Sequence, residues 1–212
     1  EMADFVTLGF DLAFKYRTPA MILSDGVIGQ MMEKVRLPEL KARRSEQEIR
    51  KQCPWATLGR TPDRAPNFLS TLEMDSSLME QRNIQLQAKY KEIQQNEVRY
   101  QDVQCDDADY LLVAFGSAAR ICLKTVDMAR DEGLKVGLLR PITLWPFPSE
   151  ILAKYAGKVK GMLTVELNAG QMVEDVRLAV NGKVPVEHYG RLGGIVPTPD
   201  NVLEALKNLM GC

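Results

Sequence analysis

The sequence of 212 residues contains one histidine, His188, so a histidine-based triad or a histidine-rich zinc site has little to build on. His188 follows an alternating Val-Pro-Val-Glu pattern near a strand end and reads as structural or solvent-facing. The four cysteines, Cys53, Cys105, Cys122 and Cys212, have no C-x-x-C spacing and form no iron–sulfur run. Cys122 falls on a helical pattern as a small core residue and the others fall in loops or at the terminus, which fits a reducing, cytoplasmic setting. No apolar run approaches the ~20 residues of a membrane span, and no signal peptide is visible. Neither sign of charge dominates: 27 basic against 28 acidic residues leave a net charge of −1, so nothing points to nucleic acid or an anionic membrane. Internal repeats and low-complexity tracts are missing as well. What is present is a 45% hydrophobic content, enough for a real core.

The organising stretch is Tyr110-Leu-Leu-Val-Ala-Phe-Gly116 followed by Ser117-Ala-Ala-Arg120. A near-continuous apolar run entering Gly-Ser and then a helical pattern reads as a buried strand, a tight turn and a helix. Gly116 permits the sharp turn and Ser117 is a good N-cap, worth roughly 1 kcal/mol to the helix it starts. Such a turn can point backbone N–H groups at an anion, but Gly116 stands without the second and third glycines of a dinucleotide fingerprint, so the structural reading outweighs a phosphate site.

Upstream, residues 2–16 carry Phe5, Val6, Leu8, Phe10, Leu12 and Ala13 around more than one helical face, which predicts a buried helix. Residues 20–23 are a short strand candidate and Ser24-Asp25-Gly26 a turn, the end of a β/α unit of another domain. Between residues 37 and 75 periodicity dissolves into Pro38, a mixed charge run over 41–51, Cys53-Pro54-Trp55, Pro62 and Pro66. A connector of this length suggests a lid or a strap, with Trp55, Phe68 and Leu69 as its anchors. Ser76 or Ser77 then caps a helix reaching about Tyr100, with Met79, Leu86 and Ile93 in a narrow stripe. Asn83 and Glu97 interrupt the second apolar row, which favours a helix laid on a domain surface over a coiled coil. The acidic stretch at 105–109 is the hinge before the organising strand.

Beyond it, strands at 135–140, 161–166 and 184–189 alternate with helices at 117–132, 149–155, 171–180 and from Thr198 to Gly211. This alternation predicts a parallel α/β sheet with right-handed crossovers, whose strand carboxyl ends meet ligands or partners. At those ends lie Glu166-Leu-Asn-Ala-Gly-Gln171 and Tyr189-Gly-Arg-Leu-Gly-Gly194. The first orients a polar ligand or partner loop, or is a helix start in which Asn168 caps orphan N–H groups. Arg140 is placed to pair with Glu166 across neighbouring strands, and Arg191, between glycines, can meet an anion or simply sit in a flexible turn. No nucleophile stands beside a base, so no catalytic residue and no metal ligand is assigned.

Three stretches together resemble the alpha subunit of 2-oxoacid:ferredoxin oxidoreductases, the 2-ketoisovalerate (branched-chain) type most of all. They are Leu139-Arg-Pro-Ile-Thr-Leu-Trp-Pro-Phe-Pro148, Val165-Glu-Leu-Asn-Ala-Gly-Gln-Met-Val-Glu-Asp-Val-Arg177 and Tyr189-Gly-Arg-Leu-Gly-Gly194. Pro19-Ala-Met-Ile-Leu-Ser-Asp-Gly-Val-Ile-Gly-Gln30 is similar to the end of that family's thiamine pyrimidine domain, and the stretch from Leu86 to Tyr100 is similar to its connecting helix. Lys34 departs from the pattern, standing in a loop where a proline is expected.

The resemblance implies thiamine diphosphate-dependent oxidative decarboxylation of a branched 2-oxoacid to an acyl-coenzyme A, with electrons passed through iron–sulfur clusters to ferredoxin. It implies three segments. Residues 1–40 would be the truncated end of a thiamine pyrimidine-type domain, whose activating glutamate lies upstream, and 41–108 an extended connector with a long helix. Residues 109–212 would be a transketolase C-terminal-like domain, three α/β/α layers around a mostly parallel five-stranded sheet. The clusters then belong to other subunits (a beta and a ferredoxin-type subunit), no cofactor is expected on this piece, and its apolar start would drive self-association. Arg140, Glu166, Asn168, Gln171 and Arg191 are expected to face the partner subunit or coenzyme A. The alternatives are part of a branched-chain 2-oxoacid dehydrogenase beta subunit, or a freestanding interaction or regulatory module. The opening inside a helical pattern favours the subunit reading.

Overall fold

A strand that is apolar on both faces needs helices on both sides of its sheet, and the organising stretch finds them. The structure, a computed structural model, describes residues 1–37, 39 and 42–211; Pro38 and Lys41 of the connector and Cys212 lie outside the described residues. The chain runs through α1 (Met2–Tyr16), α2 (Gly26–Gln30), α3 (Glu46–Gln52), α4 (Ser76–Asn96), β1 (Tyr100–Val103), β2 (Tyr110–Val113), α5 (Gly116–Asp131), β3 (Val136–Pro141), α6 (Ser149–Tyr155), β4 (Gly161–Glu166), α7 (Met172–Val180), β5 (Val186–Gly190) and α8 (Pro199–Met210). These form two compact units. The first joins Glu1–Ser24 to Met31–Lys91, and the second joins Asp25–Gln30 to the chain from Glu92 onward.

The second unit is built on a five-stranded sheet in the order β1-β3-β2-β4-β5. β2, β3, β4 and β5 run parallel, and β1 pairs antiparallel with the outer side of β3. Alternation along each strand sorts the core into two layers. Leu112, Val136, Leu138, Leu163 and Val165 meet Ala119, Cys122 and Val126 of α5 and Val202 and Leu206 of α8. Leu111, Val113, Leu139 and Met162 meet Leu152 and Tyr155 of α6 and Met172 and Val176 of α7. Each of the larger side chains contributes about 1.5–3 kcal/mol by leaving water, which is why the sheet sits at the centre of this unit. This is the expected three-layer α/β/α architecture, mostly parallel, like a transketolase C-terminal domain.

The fifth strand comes from where no strand is expected. The long helix stops at Asn96 rather than Tyr100, and residues 100–103 pair with 138–141. β1 is an edge strand exposed along most of its length, so it carries no apolar alternation to announce it. Its place is set by contacts distant in sequence. The Tyr155 hydroxyl donates to Asp102 at 2.9 Å, and the Arg99 N–H donates to Thr143 Oγ1 at 3.0 Å. Burial and the Asp102 bond together push the Tyr155 hydroxyl pKa up. The start of the same helix is capped by Asp75, whose Oδ1 accepts from the N–H groups of Ser77 and Leu78, not by Ser76 or Ser77. α5 likewise lacks a side-chain cap from Ser117. α8 begins as expected at Thr198, in a capping box with Asn201, and ends on Gly211.

In the first unit, α1 has the expected bounds but is not buried. Val6, Phe10 and Phe14 are exposed, and Tyr16 is its one buried residue. Among the described residues its cover is local: Ile22 packs against Gly9, and Phe14 stacks on Trp55 at 5.6 Å between ring centroids. Trp55 thus anchors the connector, with the Arg17 guanidinium 5.2 Å from its ring centroid, whereas Phe68 and Leu69 are exposed. Residues 20–23 form no strand, because a strand exists only by pairing and no described segment forms a ladder with them.

Cys53, Cys105 and Cys122 are all free and buried. Cys122 is a core residue of α5, as expected. The Cys105 thiol lies 3.3 Å from the Leu138 carbonyl and burial pushes its pKa to about 11. At pH 8 that leaves about one thiolate in a thousand. Alkylation of the native protein at pH 8, read by peptide mass spectrometry, is therefore expected to leave Cys105 and Cys122 unmodified until denaturant is added. Rapid native labelling of Cys105 would contradict the packing of residues 104–105 over β3.

Candidate functional site

The strand carboxyl ends of the second unit hold Arg140, Glu166, Asn168, Gln171 and Arg191. β2 ends in the Gly116 turn, which has φ +56 and opens α5. The N–H groups that such a turn can point at an anion already have one. The Asp25 carboxylate accepts from the Ser117 hydroxyl and from the Ser117 N–H, while its Oδ1 accepts from the Ile28 N–H at 2.7 Å. Burial works against ionisation of Asp25, but the Ser117 hydroxyl and the N–H groups of Ile28, Val27 and Ser117 outweigh it and hold the pKa below the ordinary carboxylate value. The sequence marks Asp25-Gly26 only as a turn. The missed signal is an aspartate immediately before a short helical pattern, where an N-cap belongs.

β3 ends at Arg140, whose Nη1 donates to Gln101 Oε1 of β1 at 3.1 Å. The expected pair with Glu166 does not form, for two reasons of topology. β2 lies between β3 and β4, and Arg140 shares the face of Leu138, toward α5 and α8, whereas Glu166 shares the face of Met162, toward α6 and α7. Beyond Arg140 the connector turns through a cis Trp145–Pro146 bond and leaves Trp145 exposed.

β4 ends on Glu166, which is 1% exposed. Its Oε1 accepts from the Val173 N–H at 3.0 Å, its Oε2 from the Met172 N–H at 2.9 Å, and the Gln171 N–H lies 3.2 Å from Oε2. Glu166 is thus the cap of α7, reaching from the preceding strand to donors that the first turn leaves orphaned. Asn168, a cap on one of its two readings, instead accepts from the Gly170 N–H at 2.7 Å and closes the loop. Glu166 is spent inside the fold, where its carboxylate serves the start of α7. Asn168 is half-buried and Gln171 exposed on the same loop.

β5 lies against this loop. The Arg191 N–H donates to the Glu166 carbonyl at 3.3 Å, and a side chain at Gly190 would have its Cβ 2.2 Å from the Asn168 carbonyl oxygen. His188, paired in register with Thr164, places Nε2 3.7 Å from Glu166 Oε1. Neither His188 Nε2 nor Thr164 Oγ1 has a hydrogen-bond partner among the described residues. His188 is packed beside Gly170 and Gly190 rather than pointing freely to solvent. Arg191 is half-buried and has no ion pair among the described residues.

What this arrangement can do is limited and specific. It offers a rigid loop with an exposed amide, two guanidinium groups at separate strand ends and no nucleophile–base pair. Among the described residues there is no group of three or more His, Cys, Asp and Glu able to hold a metal. The Gly116 turn does not fit a diphosphate, since its donors hold the Asp25 carboxylate, and no step of thiamine chemistry is assigned to residues of this chain.

Comparison with known proteins places this geometry. Residues 1–101 match the family model "pyruvate flavodoxin/ferredoxin oxidoreductase, thiamine diP-bdg", and residues 108–202 match "pyruvate:ferredoxin oxidoreductase core domain II". The ketoisovalerate oxidoreductase subunit VorB of Methanothermobacter thermautotrophicus is 40% identical over 211 residues, covering 100% of this chain and 58% of the relative. A 2-oxoglutarate synthase subunit KorA of Methanothermobacter marburgensis is 29% identical over 99% of this chain and 61% of its own length. The chain therefore spans a little under two thirds of the curated relatives it matches. Among solved structures, the 2-oxoglutarate:ferredoxin oxidoreductase from Magnetococcus marinus, with 2-oxoglutarate, coenzyme A and succinyl-CoA bound, superposes with a TM-score of 0.58. At 21% identity, over 65% of this chain and 24% of that one, it supports the fold. Two adjacent models of pyruvate:ferredoxin oxidoreductase type thus account for nearly all of the sequence, and along its whole length the chain is similar to a ketoisovalerate oxidoreductase subunit.

Proposed function

We propose that the chain is part of the alpha-type subunit of a thiamine diphosphate-dependent 2-ketoisovalerate:ferredoxin oxidoreductase. The observation that carries this is 40% identity along the whole chain to a ketoisovalerate oxidoreductase subunit, against 29% to a 2-oxoglutarate synthase subunit. The relatives bear the letters B and A respectively, so "alpha" here means the subunit that joins the thiamine-binding model to core domain II. The reaction would be oxidative decarboxylation of a branched 2-oxoacid to its acyl-coenzyme A, with two electrons leaving for ferredoxin through iron–sulfur clusters in companion subunits. Residues 1–40 would close a thiamine pyrimidine-type domain, 41–108 would connect, and 109–212 would carry the transketolase C-terminal-like role. The complex would work in the cytoplasm; no helix among the described residues is long and apolar enough to cross a membrane.

In that assembly this chain's task is positioning rather than chemistry. Glu166 stiffens the loop that presents Asn168 and Gln171, and Arg140 and Arg191 offer guanidinium groups at the same end of the sheet to a partner subunit or to coenzyme A. The exposed apolar side chains of α1 favour self-association when the partners are absent. The test is anaerobic ferredoxin reduction by the complete protein with its partner subunits, dependent on coenzyme A, with 2-ketoisovalerate, pyruvate and 2-oxoglutarate compared. Preference for 2-ketoisovalerate is expected. A thiamine-loaded assembly that reduces ferredoxin with none of them would overturn the reading.

A further inference from the structure

The five-residue helix α2 is flanked in sequence by residues of the first unit on both sides, yet it belongs to the second. Its attachment is concentrated at one residue. Asp25 caps α2 through Oδ1 to the Ile28 N–H at 2.7 Å and through its carbonyl to the Gly29 N–H at 3.0 Å. The other carboxylate oxygen, Oδ2, accepts from the Ser117 hydroxyl at 2.5 Å, and the carboxylate also takes the Ser117 N–H. One carboxylate therefore satisfies the starts of two helices, through a bond between residues 92 positions apart in the chain. Gly116 carries no side chain between them; a Cβ there would lie 3.9 Å from Asp25 Oδ2. The rest of α2 adds little, since none of its residues is buried. A segment with no buried residue, held by one charged group, has the makings of a local opening unit rather than a part of the cooperative core.

We propose that Asp25 and Ser117 form a latch that keeps α2 docked over the carboxyl end of β2, and that α2 detaches as a unit when the latch opens. The docked state closes the position at which parallel α/β sheets receive ligands and partners, and the undocked state uncovers the first N–H groups of α5. The chain thus supplies its own anion to its central strand-end turn, and any partner or ligand using that turn must first release α2.

Amide hydrogen exchange of the full chain tests this. In Asp25→Ala, amides of residues 26–30 and of the first turn of α5 are expected to exchange about tenfold faster, while β2, β3 and β4 keep their protection. Ser117→Ala, which keeps the backbone donor and removes only the hydroxyl, is expected to give a smaller acceleration in the same peptides, about threefold. Unchanged exchange over 26–30 in both variants would overturn the latch. So would acceleration spread evenly through the sheet strands, since it would show that Asp25 supports the whole unit and not a detachable segment.

Discussion

Replacing Glu166 with alanine is expected to lower the stability of the sheet unit by about 3–4 kcal/mol, the largest single-residue effect at the strand ends. The carboxylate is the acceptor for the Gln171, Met172 and Val173 N–H groups, and it sits where water does not reach. Truncation leaves these donors unsatisfied within the fold and opens a void beneath the loop, so two costs add. A helix cap alone is worth only about 0.5–2 kcal/mol, and the excess over that figure measures burial. Glu166→Gln keeps the volume and one acceptor oxygen but aims an amide NH2 at backbone donors, so a loss of about 2 kcal/mol is expected. Urea unfolding of the intact protein at fixed pH measures both. A loss below about 1 kcal/mol for the alanine variant would mean that α7 is held by its apolar face alone. The outcome also bears on function, because weakened turnover in Glu166→Ala would then trace to a loosened Asn168–Gln171 loop and not to a lost contact with a partner.

The second large effect is expected at Gly137, near the start of β3. A Cβ there would lie 2.7 Å from the Gln104 carbonyl oxygen and 2.9 Å from the Cys105 Cα, both backbone atoms that cannot rotate away. Residues 104–105 cross so close over the strand because three separate ties hold them. Arg130 donates to the Gln104 carbonyl at 2.8 Å and pairs with Asp107 at 2.7 Å, and the Cys105 thiol meets the Leu138 carbonyl. Gly137→Ala must displace this crossing, and a cost of about 3 kcal/mol is expected, at the upper end of overpacking effects. Cys105 should become open to alkylation in the native state at the same time. Gly157→Ala is the control, since its Cβ would meet only the Lys154 carbonyl at an ordinary 3.6 Å; it should change stability by less than about 0.5 kcal/mol. If the two alanine variants unfold alike, the close crossing over β3 is not a constraint on the fold.

Much of this protein was legible residue by residue. The apolar runs at 110–113, 136–139 and 161–165 declare buried parallel strands because a strand covered on both faces must be apolar on both. Thr198 and Gly211 mark the ends of α8 because capping chemistry is local. The resemblance of three strand-end motifs to a family of oxidoreductases needed no coordinates either.

Tertiary structure decided everything that depends on which segments lie side by side. β1 is a strand only because β3 offers it a ladder, and nothing in Tyr-Gln-Asp-Val announces that edge. Residues 20–23 have more strand character than β1 and form none, for want of a described partner. Whether Glu166 looks outward or caps α7, and whether Arg140 can reach it, follow from the strand order and from the face each residue shares. The anion at the Gly116 turn is Asp25, brought from 92 positions away. The physical reason is common to all of these. Backbone donors and buried carboxylates take the partner that packing brings within 3 Å or so, and sequence spacing does not encode that proximity.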